Sequence, residues 1–276
     1  SWWNGPKKDT PAEQLKWAES LSSPSSAKKA YDALVRQWPS SKEAPVAQQR
    51  LAQICIDDDN DFEEAFNEYR YLLDYYSLQC DYTKISRLLY DLALKMKKTG
   101  TTVLFIPFPN ERVVRKAFEA VVIRAPGADF APQAMIEIAA LRVQEDDYDE
   151  AVKVYETLRN VYPSSSQAGD SILLEAELRV KLLEDHSSNA DRMKETYDFL
   201  KFSLARSVNK PYEVRIKELC EKVYADMENG AYLAAKSYDS VTRKRRNAIA
   251  AYEKFLTEYP SGVHAMEVKS RLDQLK

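Results

Sequence analysis

The sequence of 276 residues contains only six glycines and two histidines. So few glycines argue against a sheet-rich fold and against the glycine-rich loops that bind phosphate groups. The two histidines, His186 and His264, are far apart in the chain, and no metalloprotease, serine-hydrolase or phosphate-loop motif occurs. We therefore expect a protein that is not an enzyme and that carries no cofactor and no metal ion.

Cysteine is also scarce. Cys55, Cys80 and Cys220 match no metal-binding or redox spacing, and their number is odd. We interpret them as small buried hydrophobic residues. A disulfide between Cys55 and Cys80 is the alternative that the sequence leaves open.

A large excess of one charge and long apolar runs are both missing. The formal net charge is −3 and the isoelectric point is about 5.7, which gives no general attraction to nucleic acid. No apolar run reaches the roughly 18 residues that a membrane-spanning helix needs. Instead, 45% of the residues are hydrophobic and 30% are charged, which is typical of a folded chain. We expect no nucleic-acid partner.

An aromatic residue eight positions before a proline recurs along the chain. The clearest copies are Tyr31 with Pro39, Tyr155 with Pro163 and Tyr252 with Pro260. In each copy an alanine lies four residues before the tyrosine, a large apolar residue three after it and a second aromatic seven after it. These offsets place the side chains on one face of a helix, and the proline ends that helix because it has no N–H to donate.

Looser copies of the same pattern are centred on Tyr69, Phe118 and Tyr197. Between Ala131 and Pro163 the spacing best matches the tetratricopeptide repeat, a unit of about 34 residues in which a turn joins two helices. The sequence therefore predicts an all-α fold. We expect a tetratricopeptide-like α-solenoid of about five to six helix pairs with a C-terminal capping helix.

Four segments are predicted along the chain: a flexible N-terminal tether at 1–10, N-terminal repeats at 11–126, central repeats at 127–205, and a C-terminal repeat with its capping helix at 206–276. The N-terminal repeats contain an inserted loop at 100–110. Its apolar and β-branched run at 101–109 predicts an ordered extended segment. That segment would either pack on its own repeats or dock a partner.

Stacked helix pairs of this kind expose their first helices as a surface that suits extended peptides. Ala52, Ala93 and Ala139 are expected to be close-packed at equivalent positions of three first helices. With that register, the residues that face the peptide-binding groove are Gln49, Gln53, Arg87, Tyr90, Gln133 and Ile136. The amides would hydrogen-bond a peptide backbone, and Tyr90 and Ile136 would accept side chains. Ordinary exposed helix positions are the alternative.

The strongest local charge is the basic run Arg243, Lys244, Arg245 and Arg246. We predict that it docks an acidic partner or anionic lipid headgroups, and a solvated turn is the alternative. Replacement of Arg245 and Arg246 with glutamate is then expected to weaken partner binding without changing thermal unfolding.

Three stretches of sequence carry a family resemblance: PSSKEAPVA at 39–47, APGADFAPQA at 125–134 and AIAAYEKFLTEYPS at 248–261. Together they resemble the BamD family, outer-membrane lipoproteins of the β-barrel assembly machinery of Gram-negative bacteria. The resemblance implies a scaffold on the periplasmic face of the outer membrane, held by a lipid anchor at its mature N-terminus.

The resemblance also implies two kinds of partner. The N-terminal repeats would bind unfolded outer-membrane β-barrel proteins, and the C-terminal repeats would bind a BamA-like subunit that is embedded in the membrane. A generic periplasmic tetratricopeptide adaptor of another cell-envelope or secretion complex is the alternative.

Overall fold

The computed structural model describes residues 5–99, 101–103, 106–108, 110–185, 190–206, 210–239 and 245–276. Within these ranges the regular secondary structure is helical apart from one short hairpin, and turns connect the helices. The helices are α1 (Pro11–Glu19), α2 (Pro24–Gln37), α3 (Ala44–Asp57), α4 (Phe62–Tyr76), α5 (Tyr82–Thr99), α6 (Glu111–Arg124), α7 (Ala131–Gln144), α8 (Tyr148–Val161), α9 (Ser166–Asp185), α10 (Ala190–Arg206), α11 (Glu213–Asp239), α12 (Arg245–Glu258) and α13 (Ala265–Leu275).

Consecutive helices form pairs, from α1 with α2 to α11 with α12, and α13 follows as a single last helix. Each of α1 to α7 contacts the next helix along the chain, and so does each of α10 to α12. The predicted all-α, tetratricopeptide-like solenoid fold of about five to six helix pairs with a capping helix is therefore confirmed. None of the helices within the described ranges is long and apolar enough to cross a membrane.

Prolines set several of the helix boundaries. In four of the described pairs the second helix ends two residues before a proline. These helices are α2, α6, α8 and α12, which end before Pro39, Pro126, Pro163 and Pro260. The residue that precedes a proline is driven out of the α region, so the helix stops there as the sequence predicts. Pro11 and Pro24 instead begin α1 and α2, where a missing N–H has no helical partner to lose.

The first compact unit extends to Gln167. Its core is a single cluster that contains the repeat aromatics Tyr31, Tyr69 and Phe118, each at most 5% exposed. Leu34 and Leu72, three residues after the two tyrosines, are fully buried beside them. Full burial of a side chain of this size stabilises a fold by about 2 kcal/mol, so the repeated aromatic face holds the helix pairs together.

The predicted N-terminal tether is described from Gly5 onward. The backbone N–H groups of Lys7 and Lys8 donate to Oε1 of Gln14, at 2.9 and 3.1 Å. Gln14 is fully buried, and its Nε2 donates to the carbonyl oxygen of Ala30 at 3.0 Å. The part of the predicted tether next to α1 is therefore held against the first helix pair.

The inserted loop contains a short antiparallel hairpin of β1 (Thr101–Val103) and β2 (Ile106–Phe108). Val103 pairs with Ile106, and Thr101 pairs with Phe108. The β-branched residues favour this extended backbone, which agrees with the predicted extended segment. Residues 100, 104, 105 and 109 of the predicted loop lie outside the described residues.

The second compact unit comprises Ala168–Lys276. One apolar cluster joins α9, α10 and α11 around Leu200 and Ile216, and another joins α11, α12 and α13 around Tyr252 and Phe255. The division at residues 167 and 168 differs from the predicted boundaries after 126 and after 205. Proline and turn signals mark single repeats, whereas the compact units depend on how neighbouring repeats pack.

Candidate functional site: first helices of the N-terminal repeats

One face of α3 is exposed along its whole length. Its exposed side chains lie at offsets of three, four, seven and eleven residues from the first of them, which places them on one stripe: Val46, Gln49, Arg50, Gln53 and Asp57. The opposite face contributes Leu51, Ala52 and Cys55 to the core. We call this set of five residues the α3 stripe. It offers a row of polar side chains beside one exposed apolar residue.

Two of the predicted groove residues belong to the α3 stripe. Gln49 is exposed, and its side-chain amide makes no hydrogen bond to another described residue. Gln53 is exposed but engaged: its Nε2 lies 2.9 Å from each carboxylate oxygen of Asp57, and its Oε1 accepts from the Tyr69 hydroxyl at 3.0 Å. The amide of Gln49 is therefore available to an incoming peptide, whereas that of Gln53 is held by its neighbours.

Tyr90 departs from the prediction that it accepts ligand side chains. It is only 6% exposed, and its ring stacks on Phe130 with 5.0 Å between centroids and meets Phe118 edge-on at 6.1 Å. The Arg87 guanidinium lies 5.5 Å from the centroids of both the Tyr90 and Phe130 rings. Tyr90 is thus a core residue whose exposed side is covered by Arg87, and only Arg87 remains at the surface.

The two predicted groove residues of α7 are half-buried. Gln133 donates to Glu137 at 3.2 Å and accepts from Gln167 at 3.4 Å, and Ile136 lies on the same face of the helix. Glu137 also forms an ion pair with Lys97 of α5. On α5 and α7 the first-helix polar groups therefore bond mainly to one another, so the α3 stripe is the more open part of the predicted groove.

A cavity of about 440 Å³ lies between α1 and α3 at one end of the α3 stripe. Its apolar walls are Ala18, Leu21, Ala27 and Ile54, with the ring of Tyr31 beside them. Its polar groups are Glu19, Arg50, Gln53 and Asp57. An apolar floor with a few polar groups around it is the usual composition of a ligand pocket.

A second cavity of about 530 Å³ lies in the second unit between α11, α12 and α13. Tyr252, Asp239 and Arg271 line it. The Asp239 carboxylate accepts from Arg271 Nε at 2.6 Å, from Arg271 Nη2 at 3.0 Å and from the Tyr252 hydroxyl at 3.1 Å. The polar groups of this cavity therefore satisfy one another.

Cys55, Asp59 and Glu64 present ligand atoms within 4.8 Å of one another, a spacing that could suit a metal ion. The Lys28 ammonium already bonds both carboxylates, with Nζ 2.7 Å from Asp59 Oδ2. Burial lowers the pKa of Lys28, but the two hydrogen bonds outweigh it and leave the pKa raised. Burial also raises the pKa of Cys55 to about 12, which keeps the sulfur protonated. The cluster therefore links α2 to α4 through a lysine.

The predicted partner-docking run is only partly described, because Arg243 and Lys244 lie outside the described residues. Arg245 is engaged in the fold: its Nε donates to the carbonyl oxygen of Leu275 at 2.8 Å, at the end of α13. Arg246 is exposed on α12. The expectation that both arginines can be reversed without an effect on unfolding thus needs correction for Arg245, which binds the helix C-terminus.

Tyr31 and Arg50 were not among the predicted site residues, although both line the cavity between α1 and α3. The sequence contains one feature that relates them to the last repeat. Arg50 follows the repeat tyrosine Tyr31 by nineteen positions, and Arg271 follows Tyr252 by the same interval.

Comparison with known proteins identifies two repeats in this chain. A family model described as tetratricopeptide repeat matches residues 133–165 and 231–262, which include α7 with α8 and the end of α11 with α12. No curated protein matches the chain. Among solved structures, the chain is similar to a tetratricopeptide repeat protein from Parabacteroides merdae ATCC 43184. The two share 14% identity over 96% of this chain and 98% of the other, with a TM-score of 0.32.

The fold and the two matched segments define an all-α protein with tetratricopeptide repeats. Proteins built from such repeats are scaffolds and adaptors that act through protein–protein interaction. At this level the chain is a scaffold or adaptor protein.

Proposed function

We propose that this chain is a non-catalytic scaffold that binds extended segments of other polypeptides along the first helices of its N-terminal repeats. The observation that carries the proposal is the α3 stripe, where the side chains of Gln49 and Arg50 are exposed and make no hydrogen bond or ion pair with the described residues. An amide offers a donor and an acceptor to a peptide backbone, and a guanidinium offers several donors. Val46, 43% exposed, adds an apolar contact beside them.

The particular role that we propose is in outer-membrane β-barrel assembly. It is supported by the resemblance of segments 39–47, 125–134 and 248–261 to the BamD family. On this proposal the chain lies on the periplasmic face of the outer membrane behind an N-terminal lipid anchor. Its substrates are unfolded barrel proteins, and its fixed partner is a BamA-like subunit.

We place the fixed partner on the C-terminal repeat, with Arg246 as an electrostatic contact. Arg246 is exposed on α12, next to Arg245, which is held by α13. An exposed cation beside a fixed element can steer an acidic surface into place.

The experiment that tests this role is a pull-down with the purified chain from outer membranes solubilised in mild detergent. We expect the wild-type chain to recover a BamA-like subunit, and Arg246→Glu to recover less of it. Arg36→Glu is the matched control, because Arg36 is 78% exposed on α2 and, among the residues that the structure describes, pairs only with Asp32. Recovery of a different envelope or secretion complex would replace the assembly role with that of a generic periplasmic adaptor.

A further inference from the structure

The first and last repeats contain a similar three-residue arrangement, in which the acid precedes the tyrosine by 12 residues in the first repeat and by 13 in the last. In each, an acid is the last residue of the first helix of a pair, which is α1 or α11. A buried tyrosine lies on the second helix, α2 or α12, and an arginine lies on the helix after that, α3 or α13, nineteen residues after the tyrosine. The first repeat has Glu19, Tyr31 and Arg50, and the last has Asp239, Tyr252 and Arg271. Both sets line a cavity beside the first helices.

In the last repeat the arrangement is closed around a carboxylate. Arg271 donates two hydrogen bonds to Asp239, and the Tyr252 hydroxyl donates a third. The hydrogen bonds from Arg271 hold the pKa of Asp239 below its ordinary value. Burial, together with the bond to Asp239, raises the pKa of Tyr252 to about 12, so the hydroxyl keeps its proton and donates. Tyr252 and Arg271 are therefore a carboxylate-binding pair.

In the first repeat the arrangement is open. Within the described part of the chain, Glu19, Tyr31 and Arg50 make no side-chain hydrogen bond or ion pair, with one another or with any other residue. Tyr31 is only 5% exposed, yet it lines the cavity. Burial raises the pKa of Tyr31, so its hydroxyl is a proton donor without an acceptor. The hydroxyl oxygen is reached by solvent through the cavity, so it can donate to a ligand that enters.

We infer that Tyr31 and Arg50 bind a carboxylate supplied by another polypeptide, in the place that Asp239 fills in the last repeat. The inference rests on the proposed peptide-binding function and names the chemistry that one part of the groove recognises. The apolar walls formed by Ala18, Leu21 and Ile54 would receive the side chain next to that carboxylate. A charge-assisted pair of this kind is stronger than a neutral hydrogen bond.

Glu19 opposes the incoming carboxylate, because it carries the same charge at the rim of the cavity. Substitution of Glu19 therefore provides a second test, in which carboxylate binding is expected to change in the opposite direction. Arg50→Gln and Tyr31→Phe should weaken carboxylate binding, whereas Glu19→Gln should strengthen it. A merely structural role of these residues would not produce opposite effects from Arg50 and Glu19.

The test uses one fluorescein-labelled hydrophobic peptide in three versions: with a free C-terminal carboxylate, with a C-terminal amide, and with the amide plus one glutamate side chain. Fluorescence anisotropy with the full chain measures the dissociation constant of each. We expect the versions with a carboxylate to bind tighter than the neutral one, by about tenfold or more. The two carboxylate versions distinguish a chain terminus from an acidic side chain as the natural source.

Arg50→Gln should abolish the preference for carboxylate, and Arg36→Gln, on the exposed part of α2, should preserve it. Circular dichroism should show that Arg50→Gln and Glu19→Gln unfold like the wild type, since both side chains are exposed and neither forms a hydrogen bond or ion pair with a described residue. Equal binding of all three peptides would overturn the inference and leave the proposed function intact. Absence of binding by every peptide would overturn both. A loss of stability in Glu19→Gln would show that Glu19 closes the arrangement in solution, which also overturns the inference.

Discussion

The hydroxyl of Tyr162 donates a hydrogen bond of 2.7 Å to the carbonyl oxygen of Pro126, which follows the end of α6. Tyr76 makes the same bond to Pro39 at 2.9 Å. Both tyrosines lie seven residues after a repeat tyrosine, and both prolines end the second helix of the preceding pair. The second aromatic of one repeat and the proline of the preceding repeat, both part of the recurring sequence pattern, therefore contact each other and connect the two repeats. The bond supplies a partner for a carbonyl at a helix end.

Loss of either hydroxyl should destabilise the first unit. We predict that Tyr76→Phe and Tyr162→Phe each lower the free energy of unfolding by about 1 kcal/mol, the usual net value of such a bond. Urea unfolding followed by circular dichroism measures this change. Tyr75→Phe is the matched control, because Tyr75 is 68% exposed and its hydroxyl bonds no described residue. Equal stabilities of all three variants would show that the bonds do not form in solution.

Gly262 should not tolerate a side chain, whereas Gly230 should. A Cβ at Gly262 would clash with the side chain of Glu228, which is 3% exposed and whose Oε1 accepts from the backbone N–H of His264 at 2.8 Å. We predict that Gly262→Ala lowers the free energy of unfolding by about 1–3 kcal/mol through overpacking. A Cβ at Gly230 within α11 meets nothing within 4 Å, so Gly230→Ala should raise stability by about 0.5–1 kcal/mol. Similar effects of the two substitutions would contradict this packing.

The Arg271–Asp239 pair should make stability depend on acid pH. Its hydrogen bonds hold the pKa of Asp239 below the ordinary value of 3.8. Because the folded-state pKa is lowered, the pair stabilises the folded chain at neutral pH, and this contribution is lost as the pH falls below that value. Arg271→Gln should therefore lower the urea midpoint at neutral pH, and its difference from the wild type should shrink under acid conditions. A difference that stays constant through the acid range would be evidence against the pair.

The three thiols should react at different rates in the native state. Cys80 is half-buried, whereas Cys55 and Cys220 are buried, and all three are free. Burial raises the pKa of each, that of Cys55 to about 12. A thiol reagent at mildly alkaline pH should modify Cys80 first, and Cys80→Ser should remove that fast phase. A titre of one thiol in denaturant without reductant would instead support the Cys55–Cys80 disulfide.

Substitutions of the two described arginines of the basic run should have different effects, one on stability and the other on partner binding. Arg245→Glu removes the donor to Leu275 at the end of α13, so we expect it to lower stability by about 0.5–1 kcal/mol. Arg246→Glu should leave thermal unfolding unchanged and weaken recovery of the partner subunit. If Arg246→Glu recovers the partner as well as the wild type does, the docking assignment is wrong.

The sequence predicted where α2, α6, α8 and α12 end, because a proline drives the residue before it out of the helical region. It also predicted the register of the first helices, since Ala52, Ala93 and Ala139 are all fully buried. Whether the residue three positions before each of these alanines is buried or exposed could not be predicted. Gln49 is exposed there, but Tyr90 is buried, because Phe130 reaches it from forty residues further along the chain.

The candidate cavity was missed for a similar reason. Glu19, Tyr31 and Arg50 lie on three different helices, and each alone resembles an ordinary helix position. In the sequence, only the interval of nineteen residues from tyrosine to arginine links the first repeat to the last. That interval indicates a binding site only once the hydrogen bonds around Asp239 are known. Local sequence patterns therefore predicted the helical fold, whereas the candidate site could be recognised only from the contacts between helices.

The most direct test of polypeptide binding by the first helices is site-specific photo-crosslinking. A photoreactive amino acid at Gln49, on the α3 stripe, is compared with one at Lys29, which is exposed on α2. Each variant is mixed with a purified, urea-unfolded β-barrel protein, diluted and irradiated. We predict that the position at Gln49 forms a covalent adduct with the barrel protein and that the position at Lys29 does not. Adducts of equal yield at both positions, or none at Gln49, would contradict the account.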